Sequence, residues 1–124
     1  MAILSSVLLV IFSINFSLLL LHEMDAIRAK EWKMFAILKD MDDSRAFKVF
    51  TILHLPLYAI LLYSFISQQI VSFIIIDVFL IFHSIIHYFF EKHPNNNFTN
   101  MYSRLLIYPM GVLGVLHLLG LMLF

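Results

Sequence analysis

Four stretches of about 20 mostly apolar residues, at roughly 3–21, 47–67, 70–90 and 104–124, limit this chain more than any other feature. A helix of that length rises ~1.5 Å per residue and crosses the ~30 Å hydrocarbon core of a bilayer. It also satisfies its own backbone hydrogen bonds, as lipid requires. With 62% hydrophobic residues and thirteen Phe in 124, the chain carries more apolar surface than a soluble domain of this size hides. The expected fold is all-α: a four-transmembrane-helix bundle, forming a single transmembrane domain over residues 1–124. The apolar start lacks a basic leading segment. His22 and Glu23 stand where a signal peptide would place small residues for cleavage, so this stretch is read as a retained span.

The segments between the spans set the topology. Spans two and three are separated only near Ser67-Gln68-Gln69, which predicts a tight hairpin. "EKHPNNNFTN" is a clear loop before span four. In the first loop, Met24, Ile27, Met34, Phe35 and Leu38 recur at helical spacing, which predicts an amphipathic interfacial helix over 24–39 with Trp32 at headgroup level. Asp42, Asp43 or Ser44 is placed to cap the next helix. All eight Lys and Arg flank the first and third loops: Arg28, Lys30, Lys33, Lys39, Arg45 and Lys48 around one, Lys92 and Arg104 around the other. The positive-inside rule then makes both loops cytoplasmic and both termini external. The expected setting is the lipid bilayer of a cytoplasmic membrane.

Ionisable side chains inside spans are costly and usually face the bundle interior. Here they are His54 on span two, Asp77, His83 and His87 on span three, and His117 on span four, with Asn15 midway along span one and His22 at its end. Counted from the span ends, Asn15, His54 and His83 lie six or seven residues in, about 10 Å at the helical rise. His22 and Glu23 are expected at the rim of that pocket. His83 and His87 are four apart and share a helix face, as do Asn15 and His22. Asp77 and His117 fall at one greater depth, where they can pair and offset each other's burial.

A divalent metal, Zn or Fe/Mn, is the first chemistry these residues suggest, because two His at i and i+4 reach a single point. His83 and His87 are the expected ligands, with His22 or His54 as the third. Glu23 is expected as ligand or general base, and Asp25 as its orienting partner. With an open coordination position, the centre would be a metal-dependent hydrolase acting on a lipid or its headgroup. Three other uses fit the same groups. The buried His and Asp can be interhelical hydrogen-bond glue in a non-enzymatic membrane subunit. His54 with His83 or His87 can ligate haem b. Asn15, His54, His83, Asp77 and His117 can form a proton or ion path, which would call for a homo-oligomer. Zero net charge gives no basis for nucleic-acid binding, and the absence of Cys removes thiolate sites and disulfides.

"HEMDAIRAKEWKMF", at the end of a first membrane helix in a chain of this length, resembles a group of small uncharacterised bacterial four-helix membrane proteins with a His-Glu-x-Asp-Ala…Glu-Trp signature. It is more loosely similar to HXXEE-type membrane proteins. His22, Glu23 and Asp25 stand in place of a strict HXXEE, and "YPMG", Tyr108 to Gly111, carries its Pro one place early. The resemblance implies a bacterial integral membrane protein and supplies no substrate.

Overall fold

The structure is a computed structural model and describes residues 4–124. Four long helices run back and forth: α1 Ser6–Arg28, α2 Asp43–Ser67, α3 Ile70–Phe89 and α4 Met101–Leu123. All four are long and apolar enough to cross a membrane. The chain is an all-α, multi-pass membrane protein built as a four-helix bundle. Their starts follow local chemistry. The Ser5 hydroxyl accepts from the Leu8 amide at 3.3 Å, Asp42 from Arg45 at 3.0 Å, and Asn100 from Ser103 at 2.7 Å. Each cap satisfies a helix amide that has no partner within its own helix. The α2–α3 hairpin turns at Gln68, whose φ of 51° is left-handed, and the Gln68 amide closes on the Ser64 carbonyl at 2.9 Å.

Two departures from the sequence reading matter for the site. α1 does not stop near residue 21 but continues to Arg28. The segment expected as a continuous amphipathic helix over 24–39 is instead divided. Residues 24–28 finish α1, Lys30 reverses the chain at φ 51°, and a one-turn 3-10 helix follows at Glu31–Met34 before further turns. The reversal is fixed from outside. Asp43, at the start of α2, accepts from Lys30 Nζ at 2.7 Å and Trp32 Nε1 at 3.3 Å, and pairs with Lys33 Nζ at 3.1 Å. Trp32 packs its ring on Phe50 at 5.6 Å.

α4 lies between α1 and α3 and makes most of the helix packing, whereas α2 joins them more loosely. The inner core is built from Leu8, Phe12, Leu19, Phe73, Leu80 and Met110. A second cluster under the first loop joins Ala26, Trp32, Phe50, Phe98 and Ile107. Gly114 lets α4 approach α3 closely: a Cβ there would sit 3.0 Å from Ile81 Cγ1 and 3.3 Å from the Asp77 carbonyl oxygen. Small residues let membrane helices approach in this way. The first and third loops meet at one end of the bundle. Asn95 Nδ2 donates to the Lys33 carbonyl at 2.9 Å and Asn97 Nδ2 to the Ala29 carbonyl at 3.2 Å.

Candidate metal centre

Three imidazoles and one carboxylate converge beneath that loop end. His22 comes from α1, His83 and His87 from successive turns of α3, and Glu31 from the 3-10 turn. One donor atom from each lies within 4.8 Å of the others. His22 Nε2 and His83 Nε2 are 2.9 Å apart, and His87 Nε2 is 3.2 Å from Glu31 Oε1. The three rings form a near-equilateral triangle, with centroids 4.7, 4.8 and 5.0 Å apart. A tetrahedral zinc with ligand bonds of 2.0–2.1 Å separates its donors by ~3.3 Å, so the set is near coordinating spacing.

The surroundings hold these groups in place. His22 is fully buried, and His87 and Glu31 are each 5% exposed. Phe98 packs on the rings of both His22 and His87, at 5.5 and 5.0 Å. Burial pulls the Glu31 carboxyl upward, but the hydrogen bond with His87 and the neighbouring imidazoles outweigh it and hold it below its usual value. An anionic oxygen beside three imidazoles is a donor set suited to Zn, Fe or Mn.

Of the predicted site residues, His22, His83 and His87 belong to this group, whereas Glu23, Asp25, His54, Asn15, Asp77 and His117 do not. His22 is not at the rim. It is fully buried, with its Nε2 2.9 Å from that of His83 and its ring 4.7 Å from that of His87. Asn15 donates from Nδ2 to the Met110 carbonyl at 3.1 Å, a link between α1 and α4. His54 does not join the group. Its Nδ1 meets the Phe50 carbonyl at 2.7 Å and its Nε2 the Glu23 carboxylate at 2.8 Å. Both ring nitrogens are engaged, so the His54–His83 or His54–His87 axial pair expected for haem b is not formed. Asp25 is engaged elsewhere: it accepts from Arg28 Nε at 2.6 Å and Ser103 Oγ at 2.5 Å, tying α1 to the start of α4. Asp77 and His117 pair at 2.7 Å deep in the bundle, and both are at most 1% exposed.

Glu31 is the donor that sequence reasoning missed, and a signal for it exists. Met24, Ile27, Met34, Phe35 and Leu38 make one apolar stripe, and Glu31 falls in the middle of it. A carboxylate there either breaks the helix or has a buried partner. Here both hold: the helix breaks at Lys30, and His87 is the partner.

No curated protein and no solved structure matches the chain significantly. A family model does match, over residues 8–123, and it covers the four helices but for the first two residues of α1, and every residue of the imidazole–carboxylate group. The chain therefore belongs to DUF6713, a family of unknown function.

Proposed function

We propose that His22, Glu31, His83 and His87 bind one divalent metal, Zn or Fe/Mn, near the cytoplasmic leaflet, and that the protein is a metal-dependent membrane hydrolase. The observation that carries this reading is the convergence of four donors, three buried and His83 half-buried, from three separate elements, within 4.8 Å. Burying three imidazoles and a carboxylate without a common partner is expensive, and a metal offsets that cost. In the hydrolytic reading, a metal held by these four side chains would supply Lewis-acid activation of a carbonyl and of the water that adds to it. The bond from the carbonyl carbon to the leaving oxygen or nitrogen breaks, and a water proton passes to that leaving atom. Glu23, next in sequence to the ligand His22 and paired with His54, is the proposed base that carries the proton. Asp25 acts by fixing the end of α1. The basic first and third loops share one end of the bundle, which supports placing that end in the cytoplasm of a bacterial cell.

Elemental analysis of protein purified without chelator tests the reading. About one metal ion per chain is expected, and His83→Ala should remove it. Full thermal stability in chelator, with no metal at any stage, would instead support the second reading, in which these side chains only bond helices together.

A further inference from the structure

Resting on that metal reading, we propose that the centre is reached sideways from the bilayer and takes the uncharged acyl head, an ester or amide carbonyl, of a lipid chain. A cavity of about 130 Å³ opens beside the group. Its floor is Glu31, His83 and His87, so three of the four donors face it. The rest of its lining is apolar and, except for half-buried Met34, exposed, and so forms the mouth: Met34 and Phe35 from the first loop, Ile86 on α3 and Phe90 just past its end.

The mouth faces where lipid would lie. Ile86 and Phe90 continue the stripe of Phe79 and Phe82 along α3, and all four are exposed, Phe82 to 59%. In a spanning helix such a stripe contacts acyl chains. His83 is seven residues from Phe90, about 10 Å at the helical rise, so the cavity descends from the headgroup boundary into the acyl region. Phe35, from the first loop, closes the outer edge and is 44% exposed.

Size and charge narrow the occupant. The cavity is slightly smaller than the ~150 Å³ void that accepts benzene. It admits a carbonyl group and a few methylenes, not a whole phosphodiester headgroup. Among the described residues, no Lys or Arg lines it. The nearby loop cations Lys30 and Lys33 are paired with Asp43, which does not line the cavity. Phosphate and carboxylate heads are ordinarily met by Arg or Lys. A neutral carbonyl needs only the metal, and an apolar mouth suits the chain behind it.

The test uses the full chain in phosphatidylcholine nanodiscs, loaded with Co²⁺ and read by its visible absorption. Three probes are titrated: dodecanoyl hydroxamate, acetohydroxamate and dodecyl phosphate. The long hydroxamate should shift the cobalt bands at about a tenfold lower concentration per lipid than the short one, the gain of burying roughly two methylenes. Dodecyl phosphate should leave the bands unmoved. Ile86→Trp should abolish the chain-length advantage while cobalt stays bound, and Phe35→Trp, on a loop rather than a helix, should do the same. An advantage undiminished in both variants, or an equal response to the phosphate, overturns the acyl route and leaves the metal reading standing. A chain that takes up no cobalt overturns both.

Discussion

His117 is packed between the rings of Phe12 and Phe73, each 5.6 Å away, and its one polar partner among the described residues is Asp77. Such a pair is stable as a pair and costly as a half. Asp77→Leu or His117→Leu alone should destabilise the bundle by about 3–5 kcal/mol, because each leaves a buried polar group unmatched. The double substitution should recover most of that loss, which thermal or denaturant unfolding in detergent will read. Glu31 differs, because its partner is His87 within the imidazole group. Glu31→Gln should lower metal affinity by about 10–100-fold with a small change in stability, measurable by competition with a chelator of known affinity. The pairing of Asp77 with His117 is legible from sequence, since both lie thirteen residues into their spans. The roles of His54 and Asp25 are not. Their partners, Glu23 and Ser103, were fixed by rotation and tilt of helices, and sequence spacing within one helix says nothing of either.

The third loop does more than connect α3 to α4. Its asparagines reach across to backbone carbonyls of the first loop, at Lys33 and Ala29, on either side of Glu31. Asn96 folds the loop on itself, donating to the Glu91 carbonyl and accepting from the Phe98 amide, each at 2.9 Å. That places Phe98 over His22 and His87. Asn95→Ala with Asn97→Ala should cost about 1 kcal/mol per lost bond and loosen Glu31, so metal affinity should fall although no ligand is changed. Unchanged affinity in the double variant would refute the clamp. At the α3–α4 contact, Gly114→Val should destabilise by about 1–3 kcal/mol, because its Cβ meets backbone as well as the Ile81 side chain. The four spans and the hairpin are readable because hydropathy and turn residues encode them locally. The expected interfacial helix fails because its apolar stripe is real but serves a reversed chain. Trp32 and Met34 pack inward from a 3-10 turn held by Asp43, a tertiary contact that periodicity does not report.

Seen as a body in a membrane, the bundle is polarised. Its Lys, Arg and Glu side chains and the imidazole–carboxylate group sit toward one end, and among the described residues the end that holds Ser5 and the Gln68-Gln69 turn carries none of them. With the basic loops inside, a reporter fused after residue 124 should read as external, and one inserted in the Asp40–Asp43 turn as cytoplasmic. The opposite pattern would reverse the proposed orientation and put the group beneath the outer leaflet.

The clamp between the loops also bears on biosynthesis. His22 and Glu31 leave the ribosome first, His83 and His87 some fifty residues later, and the asparagines that steady Glu31 last of all. A nascent chain halted just after Phe90 would own every donor and still lack the segment that locks them. Under the proposed metal reading, tight capture would wait until residues 95–97 have been made, and a half-inserted chain would hold an ion less firmly.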